Sequence, residues 1–325
     1  DHTHAPAALM AMRLGKHCFC QKPMTHSIGE ARLMADVARE QKVATMMGNQ
    51  GTALDGVRRA SALIQAGALG RVNEVHVWTN RPIWPQGGEM PDYTSSVPDY
   101  LNWDAWIGSA AARPFAGPTE DSPRAKDGTP RGPYHPFNWR GVVDFGSGAL
   151  GDMACHTTDG IYAIMNPGYA ASAEPLEMTG PVTDQYPAGM VVKNTYRATK
   201  DRPGFATYWY EGKDDAGNPF MPEEPEELTR DGLRLSRTGN LIIGSAGKML
   251  VEGDYWNSPR VIPETKRREF GRPEVLLERS PGHHEEFFMA CRGEKPREFS
   301  QTNFSYSGPL TAHSLLGNLC ARAGK

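Results

Sequence analysis

No stretch of the sequence reaches the roughly 18 consecutive apolar residues that a membrane-spanning helix requires, so no segment reads as such a helix. Excess charge of either sign is also lacking. Lys and Arg (35) nearly balance Asp and Glu (38), for a net charge of −3, and no basic run alternates with aromatics, which argues against a nucleic-acid partner. Cysteine is sparse: Cys18, Cys20, Cys155, Cys291 and Cys320 are scattered and odd in number. They do not form a disulfide framework, C-F-C lacks metal-knuckle spacing, and most read as small buried hydrophobes. H-E-x-x-H and any Cys/His cluster are missing, so no metal is expected. G-S-A-G-K at 244–248 is neither a P-loop nor a nucleophile elbow and reads as a hairpin turn.

Glycine (35) and proline (26) are plentiful and predict many turns and long loops rather than a helical bundle. Residues 5–14 are apolar at helical spacing, with Gly15 as a stop. Residues 17–21 form a candidate strand. Ser27 and Glu30 have capping-box spacing at the head of a helix over 27–41. A buried strand over 43–47 ends in the polar turn G-N-Q-G, and another helix spans 52–66. Helix, strand, helix, strand, helix is the pattern of a parallel, Rossmann-type sheet. From Val72 the pattern changes. Val75 and Val77 alternate with polar neighbours, and strand-like runs follow at 190–199, 205–211, 241–244 and 248–252. They predict an open, mostly antiparallel sheet with flanking helices. The fold class is thus α/β plus α+β, with a truncated Rossmann-type domain over 1–70 and a larger domain over 71–325. The acidic stretch 211–232 reads as a solvated loop, and 81–136 as long loops. The first residues, D-H-T-H-A-P, read as the turn after a strand and the last as the end of a helix, so both ends are expected to be cut. A leader segment would be invisible; cytoplasm is the default and export stays open.

Ligands of α/β sheets sit at the carboxyl ends of the strands. Asp1–His4, Lys22 (held in C-Q-K-P-M by Pro23) and the G-N-Q-G turn converge there. In G-A-L-G-D-M-A-C-H-T-T-D-G, Asp152, His156 and Asp159 fall within a stripe about 60° wide on a continuous helix. Flanking carboxylates raise an imidazole's pKa and burial lowers it, so the expectation is a proton carrier poised near neutral pH. Trp139 and Arg140 read either as a core tryptophan with its snorkelling arginine or as the border of a ligand cleft. His283 and His284 read as a helix start.

These segments, D-H-T-H, C-Q-K-P-M, G-N-Q-G and W-R-G-V-V-D-F-G-S-G-A-L-G-D-M-A-C-H-T-T-D in that order, resemble the Gfo/Idh/MocA oxidoreductases. The resemblance spans nearly the whole chain. It implies an N-terminal domain for NAD or NADP, whose glycine-rich turn and ribose-reading acid would lie upstream of Asp1. It also implies a C-terminal domain for a sugar or cyclitol substrate, and a homo-oligomer formed through that domain's sheet. Lys22 matches the family's E-K-P lysine, with Gln21 in place of its glutamate. Asp152 and His156 match the helix motif G-D-x-x-x-H, in which the histidine is acid/base for the reacting hydroxyl. The same likeness assigns Asp159, Arg140 and His135 to substrate. It assigns Asp1, His2, Thr3, His4, Gln21, Lys22, Asn49, Trp139 and Arg140 to cofactor. The implied function is hydride transfer to or from a secondary hydroxyl of a sugar, glycoside or cyclitol. Redox-assisted glycoside hydrolysis through transient C3 oxidation, and non-catalytic sugar binding, are the alternatives on the same fold.

Overall fold

A computed structural model describes residues 1–200, 202–275 and 277–324. The chain opens with α1 (His4–Arg13), β1 (Cys18–Cys20), α2 (Ile28–Glu40) and β2 (Thr45–Met47). β1 and β2 pair in parallel, Cys18 opposite Thr45 and Cys20 opposite Met47. The capping box forms: the Ser27 hydroxyl accepts from the Glu30 amide, and the Glu30 carboxylate accepts from the Ser27 amide at 2.9 Å. The α2 face it starts buries Ala31, Met34, Ala35, Val37 and Ala38.

After a 3-10 turn at Gln50–Ala53 come α3 (Asp55–Gln65) and β3 (Val72–Trp78). Residues 79–147 are mostly loop, interrupted by α4 (Trp103–Ile107) and a 3-10 turn at Asn138–Gly141. α5 (Gly148–Thr157) and α6 (Asp159–Met165) precede β4 (Ser172–Thr179), β5 (Gly189–Tyr196) and β6 (Phe205–Gly212). α7 (Glu226–Arg230), β7 (Gly239–Gly244), β8 (Lys248–Glu252) and β9 (Ser258–Ile262) follow. α8 (Glu264–Phe270), α9 (His283–Arg292) and α10 (Phe304–Ala323) complete the order.

The seven later strands form one sheet in the order β4-β5-β6-β3-β7-β8-β9. Only β3 and β6 run parallel; the other five pairings are antiparallel. The fold is the expected one, a short parallel sheet followed by an open, mostly antiparallel sheet with helices. The 244–248 segment is the expected turn between β7 and β8. β4 and β9 were not expected. Both carry proline (Pro175, Pro259) and both are edge strands, the position in which a missing amide donor costs least. The acidic stretch is more ordered than expected, because α7 lowers the fully buried Leu228 onto Trp78, Leu241 and Leu250.

Two cores do not divide the chain in sequence order. α3 contributes Val57, Ala60 and Leu63 to the core of the large sheet, so it packs beyond the expected boundary at residue 70. The chain also returns at its far end. The Met47 amide donates to the Thr302 carbonyl at 2.8 Å, and Phe304 and Leu310 join the core of residues 5–47. Between the cores lie α5 and α6. Leu150, Met153, Ala154 and Ile161 face the sheet, while Cys155 and Tyr162 face the N-terminal core. Cys18, Cys20 and Cys155 are buried free thiols, as expected.

Candidate functional site

Lys22 leaves the carboxyl end of β1 in a turn clipped at three points. His4 Nδ1 donates to the Pro23 carbonyl at 2.8 Å. His26 Nε2 donates to the Val143 and Gly146 carbonyls at 2.8 and 3.0 Å. Thr25 and Met24 are fully buried. The turn is thereby tied to the segment that leads into α5. The Asp1 carboxylate accepts from the Ser147 hydroxyl at 2.7 Å, and His2 Nε2 donates to the Ile107 carbonyl at 2.8 Å. Asp1, His2 and His4 therefore fasten the first turn to the second half of the chain, while Thr3 is exposed. His26 escaped the sequence reading, although it stands one turn beyond Lys22 in the same polar stretch.

The clipped turn delivers the Lys22 ammonium to α5. Nζ donates to the Asp152 carbonyl and to Asp152 Oδ1, both at 2.7 Å. Arg140 Nε donates to the same Oδ1 at 3.1 Å, and the Arg140 guanidinium stacks 4.8 Å from the Trp139 ring. Gly146 makes this approach feasible, since a Cβ there would lie 2.3 Å from the Arg140 carbonyl oxygen. Burial pushes the Asp152 carboxyl up, but Lys22 and Arg140 outweigh it and hold it below the usual carboxylate range. Gln21 lies over Gly48, where an added Cβ would meet its Oε1 at 2.4 Å.

His156 sits one helical turn past Asp152, so its own amide is hydrogen-bonded to the carbonyl that Lys22 caps. Lys22 and His156 thus share one turn of one helix. The expectation of an imidazole poised near neutral pH is overturned. Burial first, then the Lys22 ammonium, lower its pKa to about 3, against a smaller opposing effect of Asp152, and His283 lowers it further. Asp152 does not orient the ring either: its carboxylate is engaged by Lys22 and Arg140. The imidazole is therefore neutral, with Nδ1 buried and unpartnered among the described residues.

Asp159 does not share the stripe. The α-helix ends at Thr157 and resumes at Asp159, because the Thr157 carbonyl accepts from Trp256 Nε1 at 2.7 Å instead of continuing the ladder. Asp159 is 1% exposed and accepts from Asn49 Nδ2 at 2.9 Å, from the Tyr306 hydroxyl at 2.6 Å and from the Thr52 hydroxyl. Burial raises its carboxyl to about 7 against these three donors. Asn49 likewise gives its amide N–H to Asp159 rather than leaving it free for a ligand, while its buried Oδ1 has no partner among the described residues. His135 turns back on its own loop, where Nδ1 accepts from the Phe137 amide at 3.2 Å. The structure thus brings together Lys22, Asp152, Arg140, Trp139 and His156, and sets Asp159 and His135 apart, with Asn49 joining Asp159 to the carboxyl end of β2. Thr52 and Tyr306, which complete the Asp159 cluster, carried no sequence signal.

Chemically, the cluster couples a fixed ammonium, its carboxylate partner and a neutral imidazole able to accept a proton. A nicotinamide cofactor fits the first half of the site. Asn49 Oδ1, a buried acceptor at the carboxyl end of β2 with no donor among the described residues, suits an amide such as the nicotinamide carboxamide.

Comparison with known proteins agrees with this architecture. Residues 1–49 match the family model described as "Oxidoreductase family, NAD-binding Rossmann fold" (GFO_IDH_MocA). Levoglucosan dehydrogenase of Pseudarthrobacter phenanthrenivorans is 24% identical over 160 residues. That match takes in 49% of this chain and 29% of the dehydrogenase, so the chain covers under a third of that relative's length. An NAD-binding oxidoreductase from Klebsiella pneumoniae superposes with a TM-score of 0.58 at 15% identity, covering 100% of this chain and 76% of that one. The WlbA dehydrogenase of Bordetella pertussis, solved with NADH and UDP-GlcNAcA, gives a TM-score of 0.56 at 15% identity over 99% and 74% of the two chains. The chain is thus similar to the Gfo/Idh/MocA oxidoreductases in sequence over residues 1–49 and, in fold, to solved oxidoreductases over nearly its whole length.

Proposed function

We propose that the protein is an NAD- or NADP-dependent dehydrogenase acting on a secondary hydroxyl of a sugar, glycoside or cyclitol. Residues 1–47, with Phe304 and Leu310 packed on them, contribute to the cofactor side, and the large sheet with α3 contributes to the substrate side. The observation that carries this reading is the clamp of Lys22 on Asp152, one helical turn from a neutral, buried His156.

His156 takes the hydroxyl proton as the alcohol is oxidised and returns it in the reverse direction. Its buried ring starts uncharged, as a general base must, and the alkoxide charge that develops beside it during the reaction would raise its low proton affinity. Lys22 supplies the positive charge that steadies the developing alkoxide, and the Asp152 and Arg140 contacts fix its position beforehand. Its side chain is 18% exposed, so water screens the charge only partly and it acts at short range. The cofactor, when bound, accepts or gives the hydride; the chain supplies orientation and charge. The guanidinium–indole pair of Arg140 and Trp139 and the carboxamide-accepting Asn49 would hold it.

The test uses the complete enzyme with NAD and NADP against a panel of anhydrosugars, aldoses, glycosides and cyclitols, followed by nicotinamide absorbance. Turnover of one class is expected, and His156→Ala should reduce kcat by about 10²–10⁴-fold while cofactor affinity is kept. Unchanged turnover in that variant would defeat the assignment. Cleavage of aryl glycosides with no net reduced cofactor would replace it by the hydrolytic alternative.

A further inference from the structure

Asp152, one helical turn before His156, is engaged elsewhere, and the aromatic ring packed on the imidazole comes from the far sheet. Asp152 is bonded to Lys22 and Arg140, and His156 Nδ1 is buried without a partner among the described residues. The close directional neighbour of the imidazole is Tyr255, in the turn between β8 and β9. The two ring centroids are 5.1 Å apart at an interplanar angle of 73°, the edge-to-face geometry that aromatic quadrupoles favour.

The backbone that carries Tyr255 is anchored by its neighbour. Trp256, next to Tyr255, has φ of 60°, an unusual conformation for a bulky residue, and is fully buried. Trp256 Nε1 donates to the Thr157 carbonyl at 2.7 Å. A Cβ on Gly160 would lie 2.3 Å from the Trp256 ring, and one on Gly56 would lie 1.5 Å from its carbonyl oxygen. Both glycines therefore exist where the Trp256 turn must seat. Once it is seated, Tyr255 lies between His156 and the 3-10 turn after β2, 3.5 Å from where a Cβ of Gly51 would be. Backbone strain of this kind persists only where surrounding contacts enforce it, and it concentrates at functional positions.

We propose that Tyr255 is a positioning residue for His156, fixing the ring's orientation and keeping water from its buried edge, with Trp256 as its anchor. This rests on the reading of His156 as the proton carrier, but the contact itself does not. The titratable groups around the ring are Lys22 from the turn after β1, Asp152 from α5, His283 from α9 and Tyr255 itself. Tyr255 thus joins the large sheet to the chemistry and makes the β8–β9 turn part of the site.

The test needs no substrate. With the histidines isotopically labelled in the 325-residue chain, the His156 ring is titrated by NMR in wild type, Tyr255→Phe, Tyr255→Leu and Tyr255→Ala, with circular dichroism confirming the fold. Wild type and Tyr255→Phe should keep the ring neutral far below the ordinary imidazole range. Tyr255→Ala admits water and should raise the midpoint by about one pKa unit or more. Tyr255→Leu, which keeps bulk without the aromatic edge, should keep the midpoint low yet broaden or split the ring resonances. Identical titration and identical ring resonances in wild type, Tyr255→Ala and Tyr255→Leu would overturn the proposal. That outcome would leave the dehydrogenase reading intact, whereas failure of the substrate panel would leave the Tyr255 contact intact.

Discussion

The Lys22 ammonium and the Asp152 carboxylate, 130 residues apart in sequence, meet at 2.7 Å, and the same nitrogen caps the Asp152 carbonyl. One residue comes from the end of a strand in the N-terminal core, the other from a helix wedged between the two cores. The pair is mostly buried, with the two side chains 18% and 14% exposed, so removing one partner leaves a charge poorly solvated. Among the described residues, Arg140 would remain as the one cation on Asp152.

Lys22→Met in the complete enzyme should therefore lower kcat by about 10²-fold or more, as loss of a positioned electrostatic stabiliser does. Asp152 should also become easier to protonate, because Lys22 is one of the two groups holding its carboxyl down. A carboxyl with a depressed pKa adds stability that is present above its unfolded pKa and lost as pH falls through the folded one. Steady-state kinetics and acid unfolding of the variant check both; an unaltered acid transition would show that the ion pair is not coupled to folding.

Arg140→Lys keeps the charge but loses the planar guanidinium that bonds Asp152 through Nε and stacks on Trp139 and Phe137 at 4.8 and 5.0 Å. Loss of one charge-assisted hydrogen bond should reduce kcat/KM about tenfold, with part of the effect appearing in cofactor affinity measured by calorimetry. Wild-type kinetics in this variant would mean that charge alone suffices.

Asp159 has its carboxyl raised to about 7 by burial, against about 3.9 in an unfolded chain. Between these values the folded state binds the proton that the unfolded state has released. Its contribution to stability therefore falls as pH rises through that window, and the full penalty is present above it. His156, lowered to about 3, acts with the opposite sign, since acidification below its unfolded pKa favours the unfolded chain. Asp159→Asn removes only the first effect. The stability of the variant relative to wild type should rise from about pH 4 to about pH 7, by at most about 1.4 kcal/mol per pH unit. Urea unfolding across that range measures it, and parallel profiles would show that Asp159 is ionised throughout.

Gly160→Ala places a methyl 2.3 Å from the Trp256 ring at the break between α5 and α6. Overpacking of this kind should cost about 1–3 kcal/mol in chemical denaturation. A neutral effect would mean that the Trp256 turn yields, and that it does not fix Tyr255 rigidly.

Local signals account for much of what the sequence foretold. The capping box at Ser27 and Glu30, the strand at Val72–Trp78 and the turn at 244–248 depend on residues within a few positions of one another, and such patterns survive folding because neighbours in sequence remain neighbours in space. Lys22 was legible because proline fixes the turn that carries it, and Asp152 and His156 because one helical turn separates them. Pro175 and Pro259 hid two strands, since their tolerance depends on lying at an edge, and edges exist only in an assembled sheet.

By itself, the chain's order of residues determined the alternation of elements, the polar segments at strand ends and the spacing of Asp152 and His156. Only the tertiary structure decided which cation meets which carboxylate, why the helix breaks before Asp159, and that Tyr255 faces the imidazole. Those outcomes depend on contacts between residues as far apart as Thr157 and Trp256. They also depend on burial, which moves the ionisation of His156 and Asp159 in opposite directions. Desolvation belongs to the packed interior and has no counterpart in a pattern of letters.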